Sequence, residues 1–153
     1  MRPPWSLLFV RIRPLQHTDL PALLVIWEQS VRATHAFLSE QDIQALLPIV
    51  RDQALPHLEV WVASDDADAP IGFMGLDGNK VEALFVSPTR FRQGGGRQLL
   101  AHARALKGAL ELDVNEQNPR AVAFYLANGF VVSGRSPVDG QGNPFPLLHL
   151  KEA

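Results

Sequence analysis

Three consecutive glycines, Gly94, Gly95 and Gly96, follow the apolar run that ends at Val86-Ser-Pro88, and an Ala/Leu/Arg helix pattern starts directly after them. A strand, a glycine turn and a helix N-terminus make an anion pocket. Glycines let successive backbone N–H groups converge on one point, and the helix dipole adds partial positive charge there. The natural occupant is a phosphate or pyrophosphate. Two common phosphate loops fit poorly. A Walker loop needs Gly-Lys-Ser/Thr after its glycines, whereas Gly96 is followed by Arg97 and Gln98. A dinucleotide fingerprint needs Gly-x-Gly-x-x-Gly, which Gly-Gly-Gly-Arg-Gln-Leu does not supply. On the glycines alone, a turn without any ligand stays open.

A second element carries polar groups at helical spacing. Asn118 reads as an N-cap, Pro119 as the first helical residue and Gly129 as the stop. Asn118 and Tyr125 are seven positions apart, about two turns, and share a face. Ala121 and Val122 lie between them and are small enough to leave room for a slender ligand. Asn118 could equally be a plain cap, and Tyr125 a core aromatic with a bonded hydroxyl.

The elements that must position these groups are legible from periodicity and punctuation. Leu8 to Arg13 is expected as a first strand. Thr18 or Asp19 caps a helix with Pro21 in its first turn, and Leu20, Leu23, Leu24, Trp27, Val31 and Thr34 form its apolar stripe. Ser39 with Asp42 resembles a capping box that opens a second helix, Gln41 to about Leu55, with a kink or break at Pro48. Strands follow at Val60–Ala63, Ile71–Leu76 and Val81–Val86, the last two joined by Asp77-Gly78-Asn79. The glycine loop then leads a helix to about Lys107. Leu110–Val114 is a strand, Pro119–Asn128 a helix, and Phe130–Ser133 and Leu147–Leu150 are strands. The expected fold class is α/β, with a mixed, mostly antiparallel sheet of about seven strands flanked by helices. One domain over 1–153 is expected.

Together these pieces resemble a family. Val86-x-Pro88 before a glycine turn, then Asn118-x-x-Ala121-x-x-Phe124-Tyr125-x-x-x-Gly129-Phe130, looks like the GNAT acyltransferase superfamily. The likeness is nearest to YjaB-type bacterial N-acetyltransferases, through Ser30-Val-Arg-Ala-Thr-His-Ala-Phe-Leu-Ser39, Val114-Asn-Glu-Gln-Asn118, Gly134-Arg-Ser and Pro146-Leu-Leu148. The predicted element order matches that family across nearly the whole chain.

The resemblance implies acetyl-CoA as co-substrate and an N-acetyltransferase acting on a primary amine of a small molecule or a protein. The pyrophosphate would fall on Arg92, Gln93, Gly94, Gly95, Gly96 and Arg97. Leu84, Phe85 and Val86 would lend backbone groups to the pantetheine arm. Asn118, with Asn115 close by and Ala121 and Phe124 on the same helix, would line its other side, and Tyr125 would sit beside the sulfur. A phenol of ordinary pKa about 10 stays protonated at neutral pH and can donate to a leaving thiolate. A backbone N–H near Phe85 or Val86 would polarise the carbonyl. Glu82, expected on the same side of its strand as Leu84, is a candidate base, and an acidic residue here faces the acceptor in many members of the family. His35 is the other candidate base. Trp27, Ser30, His35 and Phe37 are candidates for the acceptor pocket, although Trp27 also sits on the apolar stripe. The loop departs from the family pattern twice: Phe91 replaces the usual polar first residue, and Arg92 stands where glycine is common. That leaves a non-catalytic acetyl-CoA-binding sensor or interaction module as the alternative expectation.

Bulk properties narrow the partners. Net charge is −2, which offers no general attraction to nucleic acid or an anionic membrane. The chain has no cysteine, which removes disulfides and a cysteinyl acyl-enzyme and fits a cytoplasmic location. The apolar part of the start, Leu7 to Val10, is too short for a signal peptide or a membrane span, so a loose leader is expected there. Histidines at 17, 35, 57, 102 and 149 show no paired metal spacing, so no metal is expected. Val131 to Leu150 could form a hairpin at a subunit contact; a monomer or a homodimer is expected.

Overall fold

The computed structural model describes residues 10–153, so the expected leader and the first residues of the Leu8 strand lie outside the described part. The chain opens with β1 (Arg11–Pro14) and then α1 (Leu20–Thr34). Leu23, Trp27 and Val31 of the predicted stripe are buried, on one face of α1. Asp19 precedes α1, but its side chain does not cap that helix. It is spent on Arg13, whose two terminal nitrogens lie 2.8 and 3.0 Å from its oxygens, and on the Gln16 N–H at 2.8 Å. This buried ion pair ties β1 to the start of α1.

The capping box at Ser39 and Asp42 forms as expected and starts α2 (Glu40–Ile49). The segment expected to be helical to about Leu55, with a kink or break at Pro48, stays helical but changes its winding just after Pro48. α2 gives way to a π-helical turn over Val50–Ala54, followed by a last turn, α3 (Leu55–His57). Pro48 has no N–H to donate and its ring crowds the preceding turn, which loosens the i→i+4 register.

Three antiparallel strands follow: β2 (Glu59–Ser64), β3 (Pro70–Asp77) and β4 (Lys80–Val86). Gly78, with φ +59°, makes the tight turn between the last two. α4 (Gly95–Lys107) crosses to β5 (Glu111–Asn115), and α5 (Pro119–Ala127) crosses to β6 (Phe130–Ser136), which pairs with β7 (Leu147–Glu152). The last two strands run farther than the sequence suggests because they pair with each other beyond their apolar residues.

All seven strands join one sheet in the order β1-β2-β3-β4-β5-β7-β6. Every neighbouring pair is antiparallel except β4 with β5. One face is covered by α1 and α2, with Leu23, Trp27, Val31, Ile43, Val62 and Phe73 in the core between them. The opposite face carries α4 and α5, over Leu99, Leu100, Ala103, Leu112, Phe130 and Leu150. Each large apolar side chain buried in these layers contributes about 1.5–3 kcal/mol. The two layers hold the single parallel pair, β4 and β5, at the middle of the sheet.

Candidate active site

β4 and β5 pair only at their first residues, Lys80 opposite Glu111 and Val81 opposite Leu112, and then diverge. The divergence starts at a bulge. Gly75 faces Ala83 while Leu76 faces Val81, which leaves Glu82 as an extra residue in β4. A bulge bends its strand and increases the local twist. The result is a gap in the sheet, open at the C-terminal ends of the two strands.

Backbone alternation decides which groups face this gap. The Ser87 N–H donates to the Ile71 carbonyl at 2.8 Å. In an antiparallel ladder Ser87, Phe85 and Ala83 therefore spend their backbone groups on β3, and Leu84 and Val86 turn theirs toward β5. Of the two expected carbonyl-polarising positions, Val86 is thus the one whose N–H faces the gap. Such groups need partners, and an amide-bearing chain laid in the gap supplies them.

The glycine loop sits at the open end. Arg92 and Gly94 both have left-handed backbone, with φ of +64° and +89°. α4 begins at once, and its first intrahelical bond runs from the Gln98 N–H to the Gly94 carbonyl at 2.9 Å. The N–H groups of Gly95, Gly96 and Arg97 therefore have no partner within the helix. No side chain caps this end and no acid occupies its first turn. Side-chain caps instead occupy N-terminal donors of two other helices: Ser39 serves α2 and Asn118 serves α5. Arg92 and Arg97 are exposed beside the loop, and Gln93 folds back onto the Thr89 carbonyl at 3.4 Å. Gly96 permits a close approach of α5, since a Cβ there would come within 3.1 Å of Phe124 Cζ. Arg120, which the sequence reading did not single out, places its guanidinium 5.8 Å from the centre of the Phe91 ring. It adds a third exposed cation at the loop, and it explains what Phe91 does there.

α5 closes the gap from the α4 side. Asn118 is 5% exposed; its Oδ1 accepts from the Ala121 N–H at 3.2 Å, and its amide nitrogen makes no hydrogen bond among the described residues. Asn118 thus caps α5 through its oxygen and keeps its amide nitrogen as a donor. Leu84, Ala121, Val122, Phe124 and Tyr125 pack on one core. The Tyr125 ring lies against Phe124 and Phe130, 5.3 and 5.6 Å between centres, and its hydroxyl has no hydrogen-bond partner among the described residues. Burial pushes its phenol up, so it stays protonated throughout the neutral range. Asn115 ends β5 at the open end of the gap.

The acceptor side is the opposite face of β4. A cavity of about 440 Å³ lies between the π-turn and the sheet, lined among others by Trp27, Val50, Leu55, Glu82 and Phe85. Glu82 does not share the side of Leu84, contrary to the sequence expectation. The bulge resets the alternation, so Glu82 borders this cavity while Leu84 packs in the core on the α4 side. Lys80 Nζ lies 3.5 Å from Glu82 Oε1. Of the four acceptor-pocket candidates, Trp27 lines the cavity although it is 4% exposed, so it is a core residue as well. Ser30, His35 and Phe37 are not brought to it. Ser30 is buried in α1 and its carbonyl accepts from the Thr34 hydroxyl at 2.8 Å. That hydroxyl lies 2.7 Å from His35 Nδ1, so the imidazole donates there and its Nε2 is left as the acceptor. Burial pushes the His35 imidazole down and keeps it neutral. Phe37 packs on His35 and on Phe145 of the β6–β7 loop, at 5.3 and 5.5 Å.

Among the described residues no cluster of three or more His, Cys, Asp or Glu could hold a metal ion, and no helix is long and apolar enough to cross a membrane. What the geometry offers is an uncapped helix end for a diphosphate, a splayed strand edge for an extended amide chain, and a protonated phenol near the end of that chain. These features fit acetyl-CoA.

Known proteins with this architecture agree. Residues 56–132 match the family described as acetyltransferase (GNAT) domain. The chain is 46% identical to the peptidyl-lysine N-acetyltransferase YjaB of Salmonella typhimurium, over 94% of this chain and 98% of that protein. The solution structure of apo-form YjaB from Escherichia coli superposes with a TM-score of 0.88 at 43% identity, covering 95% of this chain and 98% of that one. The fold is shared more distantly with the PaiA N-acetyltransferase of Thermoplasma acidophilum, solved in complex with coenzyme A, at a TM-score of 0.75 and 23% identity over 95% of this chain and 99% of that one. The chain belongs to the GNAT superfamily and is an acetyl-CoA-dependent N-acetyltransferase.

Proposed function

We propose that the acceptor is the side-chain amine of a protein lysine, and that residues 1–153 act as one catalytic domain. The observation that carries this reading is the cavity beside Glu82. Its walls are largely apolar, from Trp27, Val50, Leu55, Phe73 and Phe85, and Glu82 and Asp77 bring carboxylates to it. An alkyl chain ending in an ammonium matches that combination, and the names of the YjaB relatives point the same way.

In this reading the α4 N-terminus, from Gly94 to Arg97, holds the diphosphate, helped by Arg92. Leu84 and Val86 carry the pantetheine arm along β4, and Asn118 Nδ2 donates to it from across the gap. The Val86 N–H polarises the thioester carbonyl. Glu82 attracts and orients the acceptor ammonium. Once the amine is neutral it attacks directly: the N–C bond forms, the C–S bond breaks, and the Tyr125 hydroxyl gives its proton to the leaving sulfur. Tyr125 then regains a proton from the nitrogen of the adduct.

The test is acetyl-CoA turnover against three acceptors of equal charge: a blocked peptide with one lysine, a peptide with a free N-terminus and no lysine, and a polyamine. Preference for the lysine peptide, with mass spectrometry locating the acetyl group on the side chain, is expected. Preference for the polyamine or the free N-terminus would overturn the lysine reading.

A further inference from the structure

The cations of the chain are distributed unevenly. No Asp or Glu occurs between Glu82 and Glu111, whereas Arg90, Arg92, Arg97, Arg104 and Lys107 do. Arg13, Arg32, Arg51, Arg90, Arg104 and Arg135 each have a carboxylate oxygen within 3.5 Å. Four arginines have no such partner among the described residues: Arg11 on the edge strand β1, and Arg92, Arg97 and Arg120 around the glycine loop. Three unpaired guanidiniums thus meet at one place in a chain of net charge −2.

Arg120 rests on an aromatic ring rather than on an acid. Its guanidinium carbon lies 5.8 Å from the centre of the Phe91 ring. The acid nearest to it in sequence, Glu116, is taken by Arg135, which reaches its two oxygens at 2.7 and 2.9 Å. One turn farther along α5, Phe124 packs over Gly96, where a Cβ would come within 3.1 Å of its ring. The first turns of α5 therefore lie along the loop, with Arg120 at Phe91 and Phe124 at Gly96. Unlike a carboxylate, an aromatic ring does not cancel the charge it attracts. The Arg120 N–H groups make no hydrogen bond among the described residues, and the side chain is exposed. Its planar fork is open for a two-pronged contact with an anion.

Charge counting identifies the anion. The diphosphate of coenzyme A carries a negative charge on each phosphorus. Arg92, Arg97 and the partial charge of the α4 N-terminus, about +0.5, already answer it. Arg120 exceeds that balance. Coenzyme A has a third phosphate, on the 3′ oxygen of its ribose. It is a monoester, with a charge of about −1.5 to −2 at neutral pH, and it stands one ribose away from the diphosphate. The pantetheine arm leaves the diphosphate toward the gap, where Asn118 is buried. The ribose must leave toward solvent, where the half-buried Phe91 and the exposed Arg120 stand.

We propose that Arg120 binds the ribose 3′-phosphate of coenzyme A and that Phe91 is its positioning residue; this rests on the placement of the diphosphate at the α4 N-terminus given above. The guanidinium meets two phosphate oxygens with parallel N–H bonds. The ring limits the swing of the long Arg120 side chain, so less rotamer freedom is lost on binding. Phe91 is one of the two departures of this loop from the family pattern, and a ring is what holds a guanidinium in place without neutralising it. The consequence is a choice of carrier: the site takes acetyl groups from coenzyme A in preference to a carrier without the 3′-phosphate.

The experiment is calorimetric titration of the wild type, R120Q, F91L, F91Y and R92A with coenzyme A and with dephospho-coenzyme A, which lacks only the 3′-phosphate. The wild type is expected to bind coenzyme A about tenfold more tightly than dephospho-coenzyme A. R120Q should bring that ratio to about twofold or less, by weakening coenzyme A and leaving dephospho-coenzyme A unchanged. The salt dependence of the two ligands should then become alike. F91L should lower the ratio part of the way, and F91Y, which keeps the ring, should retain it; a ratio unchanged in F91L removes the positioning role. Binding of dephospho-coenzyme A reports in each variant that the loop is intact. A wild type that does not distinguish the ligands, an R120Q that keeps the ratio, or an R120Q that weakens both ligands equally would overturn the assignment of Arg120. R92A reads the diphosphate placement separately. It should weaken both ligands alike; if it weakens neither, that placement fails by itself, and the ratio in R120Q still decides whether Arg120 holds the 3′-phosphate.

Discussion

Replacing Arg92 with glycine should stabilise the protein while weakening acetyl-CoA. Arg92 has φ +64°, the left-handed region, and its side chain is exposed. Left-handed backbone costs a residue with a Cβ roughly 1–2 kcal/mol. Glycine removes that strain but adds about 0.4–1 kcal/mol of unfolded-chain entropy to be lost on folding. The net gain is about 1 kcal/mol, or a rise in Tm of about 2–4 °C for a chain of this size. Arg92→Ala is the control, because it keeps the Cβ and its strain. Both variants lose the same cation, so both should bind acetyl-CoA a few-fold more weakly, with a smaller salt dependence than wild type. Thermal unfolding and calorimetric titration at two salt concentrations read both effects. If R92A raises Tm as much as R92G, the backbone strain is not the cause. If neither changes the affinity, Arg92 is not at the diphosphate.

Tyr125→Phe should lower kcat about 100-fold with little change in acetyl-CoA affinity, checked by steady-state kinetics and titration. The same variant should remove a loss of stability at high pH: burial raises the folded-state pKa of Tyr125, so its contribution is complete below about pH 10 and is lost as pH rises toward the raised value. Denaturant melts from pH 8 to 11 would show it. Glu82→Gln should raise KM for the lysine peptide more than it lowers kcat, and an effect on kcat alone would contradict its orienting role. Asp19→Asn should cost about 2–3 kcal/mol, because it removes the buried, two-pronged partner of Arg13 and leaves only the half-exposed Asp68 at 2.8 Å. The hydrogen bond from Arg13 depresses the Asp19 pKa, so the wild-type contribution is present above about pH 4 and fades as pH falls through the lowered value; acid melts of the two proteins should converge. Gly96→Ala should push Phe124 by a few tenths of an ångström and weaken acetyl-CoA, with melting nearly unchanged.

Local chemistry was legible in the chain wherever neighbouring residues act on one another. Ser39 with Asp42, Asn118 before Pro119, and Gly129 at the end of its helix work within one turn, so their spacing announces them. The expected order of seven strands and their helices matches the sheet observed. An irregularity at Pro48 was also expected, but not its form, the π-turn at Val50–Ala54, because the way a helix repairs a lost donor depends on the surface it packs against. Arg92 marked a departure in the motif; only its backbone angle shows what the departure costs.

Effects that depend on register were not legible. One extra residue in β4 sends Glu82 to the face opposite Leu84, and alternation counted along the sequence cannot see a bulge imposed by pairing with β3. Phe91 and Arg120 belong to a loop and a helix separated in the chain by α4 and β5, so no spacing brings them together. By itself the sequence determined the family, the co-substrate and the residues of the glycine loop and of α5, because each is built from a contiguous segment. The tertiary structure alone decided the open gap between β4 and β5, which backbone groups face it, and the composition of the acceptor face, because strand pairing across the sheet sets all three.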